Sequence, residues 1–150
     1  MKHITWLCVL VATAAMPLFA HAALGGNTAS IETDQTALSA SSTTTNADLY
    51  SVHTIKTAPG ISIKEYLSPQ GNVFAVAWQG PVLPDLRLLL GNYFQTYTDE
   101  IGKLNHSGGG PVAIITPDLV VQSGGHLRAF SGRAYLPQLL PEGITLDDIK

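Results

Sequence analysis

Val73-Phe74-Ala75-Val76-Ala77-Trp78 is apolar at every position, so an extended chain through it must be buried on both faces. It reads as a central strand. Two segments before it, 50–57 and 61–67, are separated by Ala58-Pro59-Gly60, where Pro presets one turn angle and Gly takes the positive one. Ile61, Ile63 and Leu67 share one face of the second segment, while Ser62, Lys64 and Tyr66 share the other, which predicts a half-buried strand. Ser68-Pro69-Gln70-Gly71-Asn72 forms the next turn. The three segments therefore predict an antiparallel meander.

The stretch after this strand is helical. Pro84 suits the first position of a helix and Asp85 its positive end. Leu86, Leu89, Leu90, Tyr93, Phe94, Tyr97, Ile101 and Leu104 recur at three- and four-residue steps and make one apolar stripe. Gly91 falls inside it at a cost of about 1 kcal/mol, which the stripe outweighs. Lys103 and His106 suit the negative end, and Gly108-Gly109-Gly110-Pro111 stops the helix. Further strands are expected at 112–116, 119–123 and 127–135. An irregular tail with Pro137, Pro141 and Gly143 follows, with one short helical turn near Leu146. The expected fold is a single α+β domain: an antiparallel sheet of five or six strands, order β-β-β-α-β-β, with one amphipathic helix packed on a face.

Upstream, Lys2 and His3 precede an apolar run, 4–19, and Ala20-His21-Ala22 places small residues where a signal peptidase reads. Residues 1–22 have the layout of a secretory signal peptide, with cleavage expected between Ala22 and Ala23. The run is shorter than the roughly 20 residues a membrane anchor needs. Residues 23–48 are rich in Ser, Thr and Ala without apolar periodicity, and read as a flexible leader, anchored at most at Leu24 or Ile31. The domain is expected at 49–150.

Cleavage would remove Lys2, one of eight Lys and Arg, and none of the eleven Asp and Glu, leaving a mildly acidic chain. With no Lys or Arg cluster, nucleic-acid binding loses its electrostatic footprint. The single cysteine, Cys8, lies in the signal, and Ile4-Thr5-Trp6-Leu7 before it lacks the small residues of a lipid-attachment site. Disulfides, thiol chemistry and thiolate-bound metal therefore drop out of the mature chain.

Candidate chemistry concentrates in Ser123-Gly124-Gly125-His126-Leu127-Arg128-Ala129-Phe130-Ser131-Gly132-Arg133. Backbone N–H groups freed by Gly124 and Gly125 could cradle an anion beside Ser123 and His126, with Arg128 and Arg133 neutralising it. The competing reading is a strand-to-strand turn with solvated arginines. A hydrolase of Ser123 or Ser131 with His126 and Asp118 has the right residue types, but Val121 stands where a nucleophile elbow needs Gly. His53, His106 and His126 stand apart without ligand spacing, so no metal and no cofactor is expected. The aromatics of the stripe and Trp78 read as a core seam.

Several blocks resemble one family. They are the Ala-Leu-Gly-Gly start at Ala23, Phe74-Ala75-Val76-Ala77-Trp78-Gln79-Gly80-Pro81, and Pro84-Asp85-Leu86-Arg87 with Leu90-Gly91-Asn92-Tyr93-Phe94. Gln122-Ser123-Gly124-Gly125-His126, Gly132-Arg133-Ala134-Tyr135-Leu136-Pro137 and the closing Pro141-Glu142-Gly143 and Asp147-Asp148-Ile149 belong with them. The chain is similar to the bacterial domain-of-unknown-function family 2844 (DUF2844), exported proteins of Burkholderia-like proteobacteria. The resemblance implies a Gram-negative envelope protein, periplasmic or secreted, with no assigned catalytic residues. The expected function is a non-catalytic accessory or binding module. It would engage an envelope protein or a small anionic ligand through a sheet edge or the 123–133 segment. The alternative is a small hydrolase or anion-binding enzyme centred on that segment.

Overall fold

A computed structural model describes residues 24–27, 41–104 and 110–150. The expected signal peptide with Cys8, the expected cleavage site between Ala22 and Ala23, Ile31, most of the Ser/Thr leader, and His106 with Gly108 and Gly109 lie outside the described residues.

Seven strands form one antiparallel sheet: β1 (Ser41–Asn46), β2 (Ser51–Lys56), β3 (Ser62–Leu67), β4 (Val73–Gly80), β5 (Val112–Ile115), β6 (Val120–His126) and β7 (Ala129–Tyr135). Their order is β1-β2-β3-β4-β7-β6-β5, so the expected five or six strands become seven. The first four strands run as a meander; the chain then crosses one face as helix and returns from the far edge through β5, β6 and β7. β7 closes the sheet against β4, which is central and buried from Val73 to Trp78.

The additional strand is β1, in the segment read as leader. Ser41-Ser42-Thr43-Thr44-Thr45-Asn46 is exposed throughout and pairs with β2 along its full length. β-Branched threonines favour an extended backbone even where nothing is buried, and an edge strand needs only one partner. Leu24 is an anchor of this segment, one of the two the sequence offered. It is buried at 2 % exposure, its N–H reaches Leu89 O at 2.9 Å, and Gly25 and Gly26 bond to Val73. One apolar side chain and three backbone hydrogen bonds offset the ordering of this short piece.

The helical stretch covers one face in two pieces, α1 (Leu86–Leu90) and α2 (Phe94–Lys103), joined by a 3-10 turn, Gly91–Tyr93. Asp85 is the N-cap, two residues later than a helix with Pro84 at its first position would place it, and accepts from Arg87 N at 2.9 Å and Leu88 N at 3.4 Å. Gly91, with φ 50° and ψ −121°, ends α1 instead of sitting inside a continuous helix. The stripe survives the break. Leu86, Leu89 and Leu90 are buried, and Tyr93, Phe94, Tyr97, Ile101 and Leu104 pack partly buried against the same core, with Arg87 5.0 Å over the Phe94 ring. Beneath the helices lie Ile55, Ile63, Val76, Trp78, Ile114, Val121 and Ala134.

The other face is covered over half its area by segment 136–150, the irregular tail. Ile149 is fully buried against Tyr66, Phe74, Ala75 and Ala77. Tyr66 is therefore buried where the sequence placed it on a solvent face. Its hydroxyl accepts from Lys150 N and donates to Lys150 O, both at 2.9 Å. Burial raises the phenol pKa above its usual value, which keeps the donating proton in place. Arg133 Nη1 holds Leu146 O at 2.6 Å and Ile149 O at 3.2 Å. Asp148 Oδ2 accepts from Thr145 N and Oγ1, each at 2.8 Å, and this bonding, the backbone N–H first, keeps its carboxyl below the ordinary range.

Two local features set the geometry of β6 and β7. Gly132 faces Trp78 across the β4–β7 pair, and a Cβ there would stand 2.4 Å from Trp78 Cζ2. The turn joining the strands is Leu127-Arg128, not the expected Gly124-Gly125, which lie within β6. Arg128 takes φ 67° in that turn, the one positive non-glycine φ among the described residues.

Gly132→Ala is expected to cost at least about 2–3 kcal/mol, because the indole must leave its site. Equilibrium unfolding in urea checks this, with Ser131→Ala as the neighbouring control expected within about 0.5 kcal/mol of the parent. Arg128→Gly is expected to stabilise by roughly 0.5–1 kcal/mol, since glycine adopts positive φ without the Cβ clash. A lower melting temperature for that variant would contradict the strained-turn account.

Candidate functional site

Register rather than chain proximity builds a large concavity on the sheet. Lys64, Ala77, Arg133, Gln122 and Ala113 are consecutive cross-strand partners on β3, β4, β7, β6 and β5. Ser62, Gln79, Ser131 and Gly124 form the adjacent row. Side chains two residues apart share a face, so both rows lie on the face carrying Tyr66 and Ala75, beyond the end of the 136–150 cover. Ala77, Ala113 and Gly124 are short, and the result is a trough of about 640 Å³ walled on one side by Ile149 and Lys150. Crossing five strands at about 4.8 Å each, it is about 19 Å long.

Its polar groups are of two kinds. Gln79 and Ser131 are exposed along the open side. Arg133 and Lys64 stand by the wall and also hold it. Arg133 Nε donates to Gln122 Oε1 at 2.9 Å while Nη1 takes the Leu146 and Ile149 carbonyls, and Lys64 Nζ donates to Lys150 O at 2.9 Å. The charged side chains lining the trough are Lys64, Arg133 and Lys150.

Of the residues singled out in the sequence, Ser123, Gly124 and Arg133 line this trough. Gly125 pairs with Phe130 at the end of β6, His126 is exposed opposite Ala129, and Arg128 lies in the turn. Arg128 borders a separate cleft of about 360 Å³ with Gly60 and Pro81. Five residues separate Arg128 from Arg133 along an extended hairpin, about 16 Å, so the two do not close on one anion. The hydrolase arrangement also comes apart. Asp118 precedes β6, where it accepts from Gln138 Nε2 at 2.7 Å, and His126 ends the same strand roughly 20 Å away.

Ser131, a candidate nucleophile in the sequence, lines the trough as well, whereas Lys64, Gln79 and Gln122 did not stand out, because only pairing brings them into these rows. His53 did stand out, as a lone histidine. It faces Glu65 across β2 and β3 with Nδ1 3.5 Å from Oε2, both side chains being buried in the helix-covered core. Trp78 Nε1 is buried there with no acceptor among the described residues. No group of three or more His, Cys, Asp or Glu gathers to hold a metal among the described residues, and no helix among them is long and apolar enough to cross a membrane.

A family model described as protein of unknown function (DUF2844) matches residues 20–149. No curated protein and no solved structure matches the chain. The matched span takes in every described strand and helix, both rows of the trough and the Arg133-held cover as far as Ile149. The chain belongs to the DUF2844 family of proteins of unknown function.

Proposed function

We propose that this protein is an exported, non-catalytic binding module that holds its ligand in the sheet-face trough. The observation that carries the reading is the division of one sheet face. Segment 136–150 covers the Tyr66, Phe74 and Ala75 half, while the Ala77, Ser131 and Gly124 half stays open with short side chains. Its volume, about 640 Å³, falls in the usual range for ligand sites. Export is supported by the basic start, the apolar run and Ala20-His21-Ala22. A binder also needs no nucleophile or base, and His126 stands exposed at a strand end, far along β6 from Asp118.

The protein recovered from periplasm or medium is expected to begin at Ala23 by intact mass; a chain that retains residues 1–22 would count against export. Titrating the isotope-labelled protein with fractionated envelope extract should shift the amide signals of Gly124, Ser131 and Gly132. Ser131→Trp, which fills the trough from an exposed position, should abolish those shifts. Shifts confined to β1 or β5 would show binding by strand addition at a sheet edge and overturn the trough reading.

A further inference from the structure

We infer that the trough takes an extended anionic saccharide, a uronate-type oligosaccharide, an inference that rests on the binding-module reading above. Charge is the first reason. The chain has eleven Asp and Glu against eight Lys and Arg, yet the charged side chains lining the trough are all basic: Lys64, Arg133 and Lys150. Such one-sided placement in an acidic chain attracts an anion and repels the protein's own kind of surface.

Unused donors are the second. The hydrogen bonds that hold the 136–150 cover occupy Nε and Nη1 of Arg133 and leave Nη2. Lys64 Nζ gives one of its three protons to Lys150 O. Both cations are thus oriented before a ligand arrives, which lowers the ordering cost of binding. A carboxylate set against this wall would meet fixed, charged donors.

The third reason separates a saccharide from an acidic peptide. β3, β4, β7 and β6 are interior strands whose backbones are paired on both sides, so a peptide crossing them cannot add as a strand. Recognition must come from side chains, and beside the cations these are hydroxyls and amides: Ser62, Gln79, Ser131 and Gln122. Such groups both donate and accept, as ring hydroxyls do. Ala77, Ala113 and Gly124 keep the floor low, so the C–H faces of sugar rings can lie against it. The length of about 19 Å suits a short oligosaccharide lying across the strands.

The test uses the exported protein with three probes: a galacturonate oligomer, a neutral glucan oligomer of equal length, and a poly-glutamate peptide of equal charge. The galacturonate oligomer should bind saturably, shift the Gly124 and Ser131 amides, and weaken as salt rises. Lys64→Gln with Lys150→Gln should bind it about tenfold less tightly, two part-exposed charge contacts being lost. Lys150→Gln alone, at an exposed side chain that bears none of the cover's contacts, should lose about threefold and guards against a folding defect in the double variant. Equal binding of the neutral glucan would overturn the anionic requirement, and equal binding of poly-glutamate would overturn the saccharide. Binding indifferent to both variants would overturn the site. If all three probes fail while envelope extract still shifts the trough amides, the ligand class is wrong and the binding module stands; if neither shifts them, both readings fall.

Discussion

Trp78 lies against Gly132 where β4 pairs with β7, and the sheet exists as one body because of that contact. On one side is the β1–β4 meander and on the other the β5–β7 meander, and this seam joins them. A side chain at position 132 would prop the strands away from the indole, while its absence lets the ring fill the space under α1 and α2. The ring buries its Nε1 without an acceptor among the described residues, a cost of about 1–3 kcal/mol set against the larger gain of a filled core. With the seam closed, the residues of β4 and β7 on the opposite face come into line, and the trough is that alignment.

The cover and the trough are one construction. Arg133 projects from β7 to the face opposite Trp78, where it binds two carbonyls of the 136–150 segment and the Gln122 amide. Tyr66 and Lys64 secure Lys150 from β3. The groups that fasten the cover therefore supply the positive wall of the trough. Buried Tyr66 and Phe74 and the partly buried Tyr50, with ring centroids 5.8–6.4 Å apart, give the cover its apolar footing. Where those large rings give way to Ala77 and Gly124, the cover ends and the open surface begins.

Much of this architecture was legible in the sequence, and the exceptions share a cause. The run 73–78 announced a strand buried on both faces, and the stripe from Leu86 to Leu104 announced a helix on a sheet, because each pattern repeats within a few residues. β1 escaped notice because an exposed edge strand has no apolar alternation. Leu24 was one of two anchors the sequence offered for the leader, but its backbone partner, Leu89, is far along the chain and could not be named. Gly91 looked like a tolerated glycine in a continuous helix, and the backbone uses it to end one helix and begin another. The turn between β6 and β7 was assigned to Gly124-Gly125 on residue preference, whereas cross-strand register put it at Leu127-Arg128 and left Arg128 to adopt the positive φ. Of the candidate site, Ser123, Gly124, Ser131 and Arg133 were identified in advance. Lys64, Gln79 and Gln122 were not, since none forms a motif with its own neighbours.

Read alone, the sequence established the α+β class, the central strand, the helix that shields it and the family. These are properties of local composition and period, and hydrophobic burial enforces them wherever the chain folds. The tertiary structure alone decided which side chains share a row, which face the closing segment covers, and where that face stays open. Those outcomes depend on pairing register, and a shift of one residue would turn every one of those side chains to the opposite face.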